Sequence, residues 1–335
     1  MPHAILDRPP LLEVSHLDVD YVDPPHPPAA ALRGITFTLQ RGEALGIVGE
    51  SGCGKSTLML TLLRLLPAAG RIVAGSVRLD GVELLDLDAR AMAALRWKRI
   101  AMIFQGAMNA LNPVRTVGEQ IAEAIRRHED VTNRRALDRR VSELLDLVGI
   151  AASRREQYPF QYSGGMRQRA MIAMALACSP DIVIADEPTT ALDVMIQAQI
   201  LQLLADLRRQ LQLSILLVTH DLGIVAELCD RVLVMYGGVM AEYADADTIY
   251  NGAAHPYTQA LLQAFPDPTQ PAQKLAAIPG APPRLTDLPP GCRFTPRCPH
   301  VFARCHTAQP PLYAVTPAHQ ASCFRAETTS GGAHA

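Results

Sequence analysis

No apolar run in this sequence approaches the roughly 20 residues that a helix needs to cross a bilayer. Apolar runs such as 171–178 and 182–185 are far shorter, and no membrane-spanning segment is expected. Basic residues are not in excess. Lys and Arg number 31 against 33 acidic residues, and the net charge of −2 excludes a nucleic-acid binder that works by neutralising many phosphates. The first ten residues, M-P-H-A-I-L-D-R-P-P, have neither a basic start nor a following apolar segment, so no export signal and a cytosolic site of action are expected. There is no internal repeat, and the composition, 49% hydrophobic and 19% charged, is not that of a disordered chain. A length of 335 residues allows one large core with an appendage, or two modest domains.

Disulfides do not persist in a reducing compartment, so the seven cysteines read as thiols. Cys53, Cys178 and Cys229 are scattered, whereas Cys292, Cys298, Cys305 and Cys323 crowd the final stretch. Thiolates are soft ligands suited to an iron–sulfur cluster or zinc. Their spacing matches no standard ferredoxin or zinc-finger string, and small buried hydrophobes are the alternative reading.

Residues 11–21 and 31–40 alternate apolar and polar side chains around the proline-rich 23–28, which predicts two strands joined by a loop. A short apolar strand at 44–48 leads into a glycine loop and a helical run at 56–66. Apolar spacing over 117–149 predicts a helical insert. Then apolar strands at 181–185, 214–219 and 231–236 alternate with helical stretches at 194–210 and 222–229, the pattern of an α/β chain with a mainly parallel sheet. Beyond Pro266 prolines multiply and periodicity fades, which predicts a boundary before a small cysteine-bearing module.

The glycine loop carries Gly49-Glu50-Ser51-Gly52-Cys53-Gly54-Lys55-Ser56, which fits G-x-x-x-x-G-K-[ST] between a strand and a helix. In such a loop backbone N–H groups curl around an anion and the helix N-terminus adds positive potential. Lys55 is expected to reach the outer phosphates of ATP and Ser56 to ligate Mg²⁺, and Thr57 is counted with the same cradle. Cys53 reads as a tolerated small residue, the alternative being a thiol whose pKa is lowered at a helix N-terminus, where oxidation would block ATP. A second nucleotide signature ends the strand at 181–185: Asp186 is expected to hold Mg²⁺ and Glu187 to orient or deprotonate the attacking water. A second anion-binding end is Ser163-Gly164-Gly165-Met166, a turn that caps the helical run 170–177.

The string Tyr162-Ser163-Gly164-Gly165-Met166-Arg167-Gln168-Arg169 resembles the signature motif of ATP-binding-cassette (ABC) ATPases, and the other motifs follow in that family's order over 11–265. The resemblance implies a P-loop ABC ATPase fold with a mainly parallel core, an N-terminal antiparallel β layer and a helical signature subdomain at about 104–178 within 1–265. It implies Tyr21 stacking on adenine, Gln105 as the Q-loop residue on the Mg²⁺, Ala191-Leu192-Asp193 as the D-loop and His220 as the switch histidine at the γ-phosphate. It also implies that the signature of one subunit completes the nucleotide site of another, so one cradle and one signature predict pairing with an identical chain or, by family habit, a sister ATPase.

The strings His255-Pro256-Tyr257-Thr258, Pro289-Pro290-Gly291-Cys292-Arg293-Phe294 and Arg297-Cys298-Pro299 resemble the C-terminal segment of oligopeptide and dipeptide permease ATPases. That branch implies a peptide importer at the cytoplasmic side of the bacterial inner membrane, with two membrane permease subunits and an extracytoplasmic peptide-binding protein. It also implies a small Cys-rich module at 266–335 with a [4Fe-4S] cluster on Cys292, Cys298, Cys305 and Cys323. Zinc is the alternative, with His300 or His306 as substitutes. Relatives that import nickel or glutathione share much of this pattern. A soluble cassette ATPase acting on ribosomes or DNA usually carries two cassettes or a long coiled coil, and a regulatory iron–sulfur protein with vestigial activity would lack catalytic residues that are present here. The sequence departs from the family where Gly106-Ala107 follow Gln105 in place of Asp-Pro and where Tyr162 replaces the commoner leucine at an apolar packing position.

Overall fold

Leu12, Val14, Leu17 and Val19 are all buried along the strand Leu12–Tyr21, although they switch from even to odd positions. A bulge between Val14 and Leu17 makes this possible. His16 adopts φ 48° there, and the facing Gly75 has φ 105°, at a place where a Cβ would meet Leu17 Cα at 2.5 Å. The strand lies between Ala29–Leu39 and Gly70–Leu79, both antiparallel to it, with Val82–Glu83 at the edge. This is the N-terminal antiparallel layer.

The computed structural model describes residues 9–106, 110–129, 131, 133–190, 192–264 and 278–330. The chain divides into two compact units: one of Met1–Gln40, Ala44–Leu85 and Val218–Ala335, the other of Arg41–Glu43 and Asp86–Leu217. The boundary expected near 266 falls outside the described residues, and the described tail belongs with the N-terminal part of the chain.

In the first unit, beside the antiparallel layer, Ala44–Val48 runs parallel to Arg231–Tyr236 in matched register. Both are apolar almost throughout because both faces are covered. Gly46 allows the helix Leu222–Leu228 close approach, since a Cβ there would meet Val225 Cγ1 at 2.6 Å. Outward from Arg231–Tyr236 the pairing turns antiparallel, through Val239–Asp245, His319–Ala321 and Tyr313–Thr316, so the sheet is mixed where the sequence predicts a mainly parallel one. Gly237 and Gly238, at φ 55° and 84°, form the two-residue turn that such a hairpin demands. The helix after the glycine loop is Lys55–Leu62, shorter than the predicted run, because Arg64 turns left-handed at φ 49° ahead of Pro67.

In the second unit Ile100–Ile103 runs parallel to Ile182–Asp186, and the strand beginning at Ser214 lies on the other side of the latter. The predicted helical insert is a pair of helices. Val117–His128 starts with a capping box between Thr116 and Glu119, and Arg134–Leu147 is capped by Asn133. Ile121, Ile125, Val141, Leu144 and Leu145 form their buried face. Among the described residues no helix is long and apolar enough to cross a membrane.

Candidate nucleotide-binding site

Two glycines fix the cradle in the first unit. Gly49 leaves the strand at φ 152°, where a Cβ would lie 2.2 Å from the Met235 carbonyl oxygen, and Gly54 caps the helix at φ 104°. Only glycine tolerates both the backbone and the space. Lys55 is buried, and its ammonium donates to the carbonyls of Gly49 at 2.5 Å and Glu50 at 3.1 Å. It is thus folded across the loop, where an anion would compete for it. Ser51, Gly52 and Ser56 are exposed, and the Tyr21 hydroxyl lies 3.4 Å from Thr57 Oγ1, which sets Tyr21 beside the cradle. Cys53 is buried and fits the reading as a tolerated small residue. Burial pushes its thiol pKa up and outweighs the opposing Lys55 charge 3.8 Å away, so the helix terminus does not make it a reactive thiolate.

The second unit holds the acidic end. Asp186 closes the buried strand Ile182–Asp186 and is itself buried. Glu187 follows at φ 44°, a left-handed backbone that a glutamate adopts only when its surroundings enforce it. Gln105 Nε2 donates to Glu187 Oε2 at 2.6 Å and Thr190 Oγ1 donates to the same oxygen at 3.0 Å. The structure therefore brings Gln105 and Glu187 together and adds Thr190, which sequence reasoning missed.

Ser163 caps the helix Gly164–Ala175, accepting from the Met166 N–H at 3.3 Å, and it is exposed. Gly165 leaves room for Ile196, whose Cγ2 would lie 2.7 Å from an added Cβ. Tyr162 fills the apolar packing position expected of it and its hydroxyl donates to the Arg154 carbonyl at 3.0 Å. Asp193 caps the helix Val194–Leu211 through the Ile196 N–H at 2.9 Å. His220 is exposed, and the cap of the helix Leu222–Leu228 is its neighbour Asp221. Ala191 of the D-loop string and Ala107 after the Q-loop glutamine lie outside the described residues.

The tail strings have structural work in the first unit. Tyr257 and Phe294 pack on Tyr236 with ring centroids 4.5 and 5.2 Å away, and Tyr257 Oη accepts the Glu50 N–H at 2.9 Å. Arg293 donates to the Gly237 carbonyl, and Arg297 reaches the Glu50 carboxylate. His255 is buried, accepts the Tyr257 N–H at Nδ1 (3.0 Å), and has its pKa pushed down to about 4 by burial. It is neutral at physiological pH, with its proton on Nε2.

Cys292, Cys298, Cys305 and Cys323 line a single cavity together with His255 and His300, whereas His306 is not among its lining residues. Burial pushes the thiols of Cys292, Cys298 and Cys323 up. Among the described residues no three His, Cys, Asp or Glu side chains form a group that fits one metal ion.

Comparison with known proteins matches 32–190 to the ABC transporter family and 241–305 to the C-terminal region of oligopeptide/dipeptide transporters. The chain is similar to a probable peptide ABC transporter ATP-binding protein of Sinorhizobium fredii, 50% identical over 88% of this chain and 89% of that one. It is similar to the oligopeptide transport ATP-binding protein OppD of Salmonella typhimurium, 47% identical over 94% and 93% of the two chains. It is also similar to a solved ATP-binding cassette, dimeric in a post-hydrolysis state with ADP and phosphate bound. The TM-score is 0.63 at 27% identity, covering 70% of this chain and 98% of that one.

Proposed function

Since this chain belongs to the oligopeptide/dipeptide family of ABC transporter ATP-binding proteins, we propose that it hydrolyses ATP to drive uptake of di- and oligopeptides through two membrane permease subunits. An extracytoplasmic binding protein delivers the peptide, and the chain works peripherally on the cytoplasmic side of the inner membrane. The observation that carries the catalytic reading is the gathering of Gln105, Thr190 and a backbone-strained Glu187 directly after the buried Asp186.

In this reading 49–57 cradle the phosphates, Lys55 neutralises the outer ones and Tyr21 stacks on the base. Glu187 takes a proton from the attacking water, with Gln105 orienting the carboxylate, and His220 contacts the γ-phosphate. Ser56, Gln105 and Asp186 offer hydroxyl, amide and carboxylate oxygens, the donor set a hard cation takes, and would hold Mg²⁺. Magnesium, when bound, draws charge from the β- and γ-oxygens. The turn Ser163-Gly164-Gly165-Met166, exposed at Ser163, and the exposed Asp193 serve the site of a second ATPase, a sister chain. Residues 1–265 constitute the cassette, with its helical subdomain at about 104–178, and 266–335 a C-terminal module.

Vesicles carrying both permeases, this chain and its sister are expected to hydrolyse ATP faster when peptide-loaded binding protein is added. Stimulation by nickel- or glutathione-loaded binding protein instead would reassign the cargo.

The four thiols on one cavity support a [4Fe-4S] cluster held by Cys292, Cys298, Cys305 and Cys323 in a structural role. Zinc fits less well, since it holds its donors at about 2.3 Å from a single point. Purified protein is expected to contain iron and acid-labile sulfide in equal amounts, both lost in Cys292→Ser. Zinc without sulfide would refute the assignment.

A further inference from the structure

The phosphate loop contains a carboxylate, Glu50, directly after its first glycine. A negative charge in that place opposes a triphosphate, so something must cover it. The side chain that does so comes from the tail. Arg297 Nη1 meets Glu50 Oε2 at 2.5 Å and Nη2 meets Oε1 at 2.9 Å, a two-bond fork that fixes the carboxylate in direction as well as charge. The guanidinium is only 3% exposed and the carboxylate 26%. Arg297 itself is held on every side: Nε donates to the Pro279 carbonyl at 2.8 Å, Nη2 to that of Ile278 at 3.4 Å, and Nη1 to the Tyr236 hydroxyl at 3.3 Å. The Glu50 partnership, first among the causes, holds the guanidinium pKa above its ordinary value. The main chain of Glu50 is fixed too, because its N–H donates to Tyr257 Oη at 2.9 Å.

We infer that Arg297 is a positioning residue for nucleotide binding, which neutralises the Glu50 carboxylate and holds it aside so that the loop accepts the phosphates of ATP. The inference rests on reading 49–56 as the ATP cradle. It gives the string Arg297-Cys298-Pro299 a task in the first step of the cycle, and Tyr257 of His255-Pro256-Tyr257-Thr258 secures Glu50 from the backbone side.

The test compares Arg297→Gln, Arg297→Lys and Glu50→Gln/Arg297→Gln in the full chain assembled with its permeases and second ATPase. Arg297→Gln uncovers a whole negative charge, and the KM for ATP is expected to rise on the order of tenfold with kcat changed much less. In Glu50→Gln/Arg297→Gln no charge needs covering, and most of the ATP affinity returns. A residue that only supported the packing would give no such rescue. Arg297→Lys retains charge but loses the fork, and its KM is expected to rise severalfold, which keeps the test open if Arg297→Gln does not fold. An unchanged KM in whichever of the single variants folds, or a double variant as weak as Arg297→Gln, would overturn the inference. Lys55→Ala separates this from failure of the cradle itself: normal ATP binding in Lys55→Ala sinks the cradle assignment, whereas lost binding there with normal binding in Arg297→Gln sinks only the role of Arg297.

Discussion

Glu187→Gln is expected to slow ATP hydrolysis by on the order of 100-fold or more while ATP still binds, because glutamine keeps the size of the side chain but cannot take a proton. The geometry favours a base at this position. The side chain leaves the main chain at φ 44°, immediately after the buried strand, and one of its oxygens already accepts from Gln105 at 2.6 Å and Thr190 at 3.0 Å. A carboxylate so restrained points in one direction and loses little freedom when water is attacked. Single-turnover hydrolysis with the assembled transporter measures the effect, and a nucleotide-binding titration on the same sample checks that ATP affinity is retained. Turnover equal to that of the unmodified protein would remove Glu187 from the mechanism.

Lys55→Ala is expected to fail earlier, at binding. The ammonium is the one cation inside the cradle string, and it now spans the loop through the carbonyls of Gly49 and Glu50. Losing a buried charge-assisted partner of the outer phosphates should weaken ATP binding by about 100-fold, and AMP binding far less, since AMP lacks those phosphates. Titrating ATP and AMP in parallel therefore separates loss of the phosphate contact from general damage to the loop. Undiminished ATP affinity would contradict the assignment of 49–56.

How legible was this in the sequence? The cradle was readable because glycine spacing and Lys55-Ser56 encode a local backbone shape, and local shapes survive in any tertiary context. Asp186 and Glu187 were readable for the same reason, as the end of an apolar strand. The partner set of Glu187 was half visible: Gln105 follows from the family resemblance, but Thr190 is an ordinary residue whose contact depends on how the chain turns after the strand. In the sequence Arg297 and Tyr257 stand out only as part of a family tail. Their contacts with Glu50 span 247 and 207 positions, and no periodicity or propensity encodes pairing at such range. The antiparallel turn of the sheet did have a local signal, Gly237-Gly238 between two apolar runs. For Cys53 position at a helix terminus is legible and burial is not, and burial decides for the small buried residue over the reactive thiol.

The strand His319–Ala321 matters beyond the contacts it makes. It hydrogen-bonds along Val239–Asp245, the flank on which that sheet would otherwise present a row of unsatisfied main-chain groups. The sheet therefore ends on the four-residue Tyr313–Thr316 instead of the seven-residue Val239–Asp245, and the template it offers for zipping one molecule to another is correspondingly short.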